Sequence, residues 1–131
     1  MMYTVPTTEQ DSLLKTLEKR QDADAARIKR YLAMQDLSRT AGSPLCEIKE
    51  RVTNLPILQN FDHIEIPEVI PTNILFDLFN FAPDHPARST SDTYYVDPKN
   101  VLRTHDTVMW HYYFELPEIK QKIAEDRKSV V

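Results

Sequence analysis

The chain has 131 residues, enough for one domain around one core, and its 16 Lys and Arg against 20 Asp and Glu leave a net charge of −4. That balance argues against a mainly electrostatic grip on nucleic-acid phosphates, while leaving room for a local basic face. A single cysteine, Cys46, excludes an internal disulfide and any CxxC site, and a single glycine, Gly42, excludes both GxGxxG and the GxxxxGK(S/T) phosphate loop. No apolar run approaches the ~20 residues of a membrane span and no leader pattern opens the chain, so a cytoplasmic protein without membrane contact is expected.

Residues 1–8 carry no periodicity and are expected to form a loose N-terminus. Residues 9–38 contain neither Pro nor Gly. They space Leu14, Leu17, Ile28, Tyr31 and Leu32 near the helical period, which predicts one long helix. Between Lys15 and Arg39, Lys15, Lys19, Arg20, Arg27, Lys29, Arg30 and Arg39 outnumber Glu18, Asp22, Asp24 and Asp36. This excess admits two readings, a solvated helix face or a contact with an RNA backbone. Gly42, then Ser43-Pro44, marks a linker between helices. Residues 45–55 read as the second helix, with Leu45, Ile48, Val52 and Leu55 along one face and Pro56 disturbing its end.

Beyond Phe61 the period changes. Phe61, Ile64, Ile66 and Val69 stand among polar neighbours and predict a strand interrupted by Pro67, which belongs where no ladder N–H is required. Residues 74–81 are apolar and aromatic and leave helix or strand open, and Pro83 and Pro86 make the loop that follows rigid. Residues 93–96 and 101–105 predict a hairpin about Asp97-Pro98-Lys99-Asn100. Asp106 or Thr107 is placed to cap a helix running through Glu115, and Pro117 opens a last helix to about Asp126. Ser129-Val130-Val131 looks like the start of another strand.

His63, His85, His105 and His111 have no cysteine or carboxylate at a ligand spacing, so no metal site is expected. Ser89, Thr90 and Ser91 lie near His85, but no oxyanion-hole pattern accompanies them and no catalytic residue is assigned. The polar groups concentrate around the hairpin. Asp84-His85-Pro86-Ala87-Arg88 leads into Asp92-Thr93-Tyr94-Tyr95, and Leu102-Arg103-Thr104-His105 closes the second strand. Arg88 and Asp92 are near enough in sequence to pair. Such groups either pin a loop to a sheet edge or line a small-ligand pocket at a strand end.

These runs, in this order, resemble the signature of the phenylalanyl-tRNA synthetase α subunit, a class II aminoacyl-tRNA synthetase, usually worded DHPAR…DTFY then LLRTH. The resemblance covers residues 43–105. Ser43-Pro44-Leu45 falls where the family has His-Pro-Leu, Pro67-Glu68 falls on the Pro-Glu of class II motif 1, and Phe76-Asp77 with Asn80 matches FDALN. It implies an α+β fold: a helical N-terminal segment, 1–42, then the front part of a class II catalytic domain, 43–131, with the first strands of its antiparallel sheet.

The resemblance also implies roles. His105 lines the phenylalanine pocket, Thr107 replaces a serine that binds the amino group, Trp110 replaces a glutamine that contacts the amine, and Ser91 sits beside the pocket. An indole cannot accept a hydrogen bond from an ammonium, so Trp110 acts through a cation–π contact or else is ordinary core packing. His85, Arg88, Asp92, Thr93, Arg103 and Pro67 are the structural signature. The implied activity is ATP- and Mg²⁺-dependent activation of phenylalanine and its transfer to tRNA, with a synthetase β subunit and a homodimer through motif 1 as candidate assemblies.

The ATP-binding arginines of motifs 2 and 3 have no counterpart after residue 105, where Arg127 is the only arginine. The chain is therefore expected to be a front piece, truncated or a partial gene product, inactive alone and holding neither ATP nor Mg²⁺. Two alternatives stand beside this: a non-catalytic synthetase-like module for dimerisation or RNA binding, and a related class II synthetase of the phosphoseryl or pyrrolysyl type. A sheet cut short also predicts an exposed edge, and with it poor solubility or obligate association.

Overall fold

The structure is a computed structural model and describes residues 1–129. It mixes helices with a small antiparallel sheet. Strand β1 (Met2–Thr4) precedes helices α1 (Thr8–Lys19), α2 (Ala23–Leu32) and α3 (Pro44–Thr53). Strands β2 (His63–Glu65) and β3 (Val69–Pro71), the single turn α4 (Thr72–Leu75), the hairpin β4 (Tyr95–Asp97) and β5 (Asn100–Leu102), and helices α5 (Met109–Glu115) and α6 (Pro117–Ser129) complete it.

The long helix expected over 9–38 is two helices. The break falls at Arg20, whose backbone is extended, and the Asp22 side chain caps α2 by accepting the Ala25 N–H at 2.9 Å. An Asp offering that acceptor competes with continued helix. The bend lets both helices face the sheet: Leu17, Ala25 and Ile28 bury against Val69 and Val96. Much of the segment's basic charge is used in holding this bend. Arg20 forks onto Asp22 at 2.9 Å and donates to the Val96 carbonyl, Lys29 donates to the carbonyls of Arg20 (2.6 Å) and Glu18 (3.0 Å), and Arg27 pairs with Asp24 at 3.3 Å.

The N-terminus is not loose either. β1 pairs in parallel with β2, Tyr3 opposite Ile64, as a two-stranded ribbon. Pro67 separates β2 from β3 as the sequence suggests, and it is itself buried. The second sheet has the order β3-β5-β4, antiparallel throughout, with an irregularity between Tyr95 and Asp97. Its turn is held by Asp97, whose carboxylate accepts from the Lys99 N–H at 2.7 Å and the Asn100 amide at 3.0 Å. The outer strands are not bare. Gln10 Oε1 accepts from the N–H groups of Glu68 and Val69, both at 2.8 Å, on the β3 side, and Arg20 reaches Val96 on the β4 side. The open edge expected of a shortened sheet is thus occupied by side chains of the same chain.

Ser43 caps α3 by accepting from the Cys46 N–H, and Gly42 takes the left-handed backbone (φ 81°) that precedes it. Only Cys46 of α3 is buried; Leu45, Ile48 and Val52 are 53%, 58% and 46% exposed. Pro56 ends the segment in a short turn, Pro56–Leu58. The main core comprises Ile66, Ile70, Leu75, Phe76, Val101 and Val108. At α5 the expected cap is corrected: Val108 holds the N-cap position with no side-chain cap, and the Thr107 hydroxyl is engaged elsewhere. The strand start expected at 129–131 lies outside the described residues apart from Ser129, which ends α6. No helix among the described residues is long and apolar enough to cross a membrane.

Asp22, Asp36, Asp62 and Glu115 are all held below the ordinary carboxylate range and tie this fold to acid. The Arg20 fork, with the Ala25 N–H, holds Asp22 down at about 2 against an ordinary 3.8. The Tyr113 hydroxyl, donating at 2.7 Å, lowers Asp62 and is itself pushed up to about 12 by that carboxylate. A carboxyl held below its ordinary value favours the native state above pH ~4 and loses that contribution as the pH falls. The raised Tyr113 contributes below pH ~10 and stops contributing as the pH climbs through its folded value. Melting followed by circular dichroism is expected to drop steadily from pH 4 to pH 2, and Asp22→Asn, which keeps a cap but cannot titrate, is expected to flatten part of that slope.

Candidate functional site

The hairpin, the α4 turn and the 84–88 loop meet around His105. β5 releases the chain at Leu102, the Arg103 N–H is held by the Glu68 carbonyl at 2.8 Å, and His105 follows two residues later, half-buried. The Leu75 carbonyl, left without an intrahelical partner at the end of α4, meets His105 Nε2 at 3.1 Å. A carbonyl can only accept, so Nε2 carries the proton. On the other side of the ring Nδ1 lies 2.5 Å from Thr107 Oγ1. With both nitrogens engaged, the imidazole is fixed in orientation.

Two aromatic rings frame it. Phe79 stands edge-on at 5.4 Å and Phe81 lies nearly parallel at 6.0 Å. Both reach the ring because Asn80 between them adopts the left-handed conformation (φ 59°), which Asn tolerates better than most residues. Phe81 is fixed in turn by Phe76 at 5.6 Å and by Arg88, which donates to the Phe81 carbonyl and to Asp77 at 2.7 Å while its guanidinium lies 5.0 Å from the Phe76 ring centre.

His85 packs on the other side of Phe81 at 4.8 Å, its Nδ1 accepting the Ala87 N–H. The one buried polar residue among those described, Thr93, donates to the Ala87 carbonyl at 2.6 Å, and the Tyr95 hydroxyl donates to the Arg88 carbonyl at 2.6 Å. The 84–88 loop is therefore stitched to both the aromatic turn and the hairpin.

The residues singled out in the sequence divide into two groups. His105, Thr107, His85, Arg88 and Thr93 belong to this one assembly, and Pro67 and Arg103 flank it through the strands. Trp110 and Ser91 do not join it. Trp110 is 47% exposed and stacks on Phe114 at 5.5 Å along α5, and Ser91 exchanges hydrogen bonds with Ser89 (2.7 Å) and Asp92 (3.2 Å). The Arg88–Asp92 pair expected from proximity is replaced by Arg88–Asp77, because the short turn after Pro86 aims the guanidinium back at the α4 side. Phe79, Phe81 and the Leu75 carbonyl were missed in the sequence. The signal available was the FNF run, an Asn between two aromatics.

The family model of the tRNA synthetases class II core domain (F) matches residues 28–127. The chain belongs to this family. Curated relatives of this synthetase core carry the name phenylalanine–tRNA ligase alpha subunit. That of Nocardia farcinica is 40% identical over 68 residues, 50% of this chain and 20% of the relative. That of Mycolicibacterium vanbaalenii is 36% identical over 101 residues, 72% of this chain and 29% of the relative, and that of Persephonella marina is 31% identical over 97 residues, 74% and 28%. The chain thus spans only about a fifth to under a third of the length of these relatives. No solved structure matches it. Among the described residues of the synthetase core, no three His, Cys, Asp or Glu side chains gather where they could hold a metal ion.

Proposed function

We propose that this chain is the front part of a phenylalanine–tRNA ligase α chain, whose complete form activates phenylalanine with ATP and Mg²⁺ and transfers it to tRNA in the cytoplasm. The observation that carries this reading is the orientation of His105 by the Leu75 carbonyl and Thr107 between Phe79 and Phe81, beside the 84–88 loop. A ring held in that way offers an aromatic substrate a fixed aromatic surface. Residues 1–42 are read as a helical lead-in and 43–131 as motif 1 through the LRTH run. The residues present do not supply an ATP clamp, so no step of the reaction is assigned to them.

The test uses the complete protein, obtained by reading the gene past codon 131. ATP–pyrophosphate exchange is expected to depend on phenylalanine. His105→Ala is expected to lower kcat/KM for phenylalanine about tenfold or more, the scale of one lost charge-assisted hydrogen bond plus packing. Exchange driven by phosphoserine or a pyrrolysine-like amino acid in its place would move the chain to a related class II synthetase.

A second reading, an assembly module, is favoured by the apolar face of α3, which the chain itself leaves uncovered. Its partner is a second copy or a synthetase β subunit, and light scattering of the chain alone separates a self-associating module from a monomer awaiting its β subunit.

A further inference from the structure

A cleft of about 660 Å³ opens between α3, the β1–β2 ribbon and the segment that follows β5. It is distinct from the His105 assembly: none of His105, Thr107, Trp110 or Ser91 lines it. We propose that this cleft binds a small organic phosphate of sugar-phosphate or nucleotide size.

The charges on its walls carry the argument. Three elements each bring a cation, Arg39 from the loop before α3, Lys49 from α3 and Arg103 from beyond β5. Arg39 is already spent on Asp36 (3.6 Å), Glu68 (3.6 Å) and Glu65 (4.0 Å), and Glu65 is one of the two carboxylates on the wall. Lys49 and Arg103 are different: among the described residues neither side chain makes a hydrogen bond or an ion pair. The remaining carboxylate, Asp106, offsets one of them.

A chain of net charge −4 therefore lines one hollow with two cations that make no hydrogen bond or ion pair among the described residues, and with one such anion. A phosphate has oxygens enough to accept from an ammonium and a guanidinium together, and the guanidinium adds bidentate geometry suited to it. His63 and Asn54 on the same walls supply further donors. The volume exceeds what a bare phosphate needs and falls in the range of small-molecule clefts. Its floor of Ile64, Ile66 and Met109 gives the organic part an apolar surface to lie on. Occupancy needs only these residues, so the proposal goes beyond the ligase reading and survives or fails separately from it.

The test is a ¹H–¹⁵N NMR titration of the 131-residue chain at constant ionic strength with AMP, ribose 5-phosphate, inorganic phosphate and sulfate. Saturable shifts are expected at Lys49, Asn54, His63 and Arg103 with the two organic phosphates, tighter than with inorganic phosphate. Arg103→Met and Lys49→Met are each expected to weaken binding about tenfold, and Arg27→Met, on a cation already paired with Asp24, is expected to leave it unchanged. Retained Val96 and Val101 signals verify that each variant is folded, and Lys49→Met serves if Arg103→Met is not. The proposal is overturned if nothing saturates, if sulfate or inorganic phosphate shifts the same residues as tightly as AMP, or if only an RNA oligonucleotide binds there.

Discussion

Phe76→Ala is expected to abolish the cooperative melt of the chain. Phe76 is 1% exposed and sits in the core with Ile70, Leu75, Val101 and Val108. It also carries the Phe81 ring on its edge and the Arg88 guanidinium over its face. Truncating a buried Phe costs about 3–5 kcal/mol, because the lost transfer energy is joined by the cavity left behind. Small domains are held by only about 5–15 kcal/mol in all, so the loss takes most of the stability of a chain with a core this small. The same cut also removes the seat of Phe81, so the His105 niche is expected to disperse before the rest unfolds. Urea melts by far-ultraviolet circular dichroism measure the first effect, and the chemical shift of the His105 ring protons measures the second. A variant melting within a degree or two of wild type would contradict this account of the core.

Ile48→Glu with Val52→Glu is expected to act on association and not on stability. Leu45, Ile48, Val52 and Leu55 follow one helical stripe, and Leu55 is 47% exposed like its neighbours on that stripe. Ile57 and Phe61 just beyond are 79% and 62% exposed. A patch of this kind, rimmed by Glu47 and Arg51, fits an interaction site better than a solvated surface. Two carboxylates placed in the middle of it would have to be buried unpaired in any complex, weakening self-association about a hundredfold. The folded monomer leaves about half of each residue exposed (58% and 46%), so the melt is expected to shift little. Light scattering across a concentration series reads the first quantity and a thermal melt the second. An unchanged mass at every concentration, heavier than one chain, would place the interface elsewhere.

The parts of the fold legible in the sequence were those governed by local rules. The 95–102 hairpin follows from Asp97-Pro98 and its flanking β-type residues, α3 from Ser43-Pro44, and the separation of β2 from β3 from Pro67. What escaped depends on contacts distant in sequence. The bend between α1 and α2 needs Val96 to receive Arg20; Asp22, the cap of α2, is its one local signal, set within a run of good helix formers. β1 has no pattern of its own and exists because His63–Glu65 offers it a partner.

At the candidate site, the motif runs located His105, Arg88 and Thr93. The carbonyl of Leu75 and the ring of Phe81 come from a segment whose class the sequence left open, and a backbone acceptor has no sequence signature. Trp110 reads as a pocket residue by its position in the motif, yet the helical register of α5 carries its ring along the stripe shared with Phe114.

Gln10 and Arg20, at either end of the first helix, each occupy backbone groups on a different outer strand of the small sheet. The opening helical pair is therefore not an appendage that can be clipped off at Gly42. A protease cut or a shorter start that removed it would bare those backbone groups on both flanks together, and the remaining piece would become a template for its own aggregation.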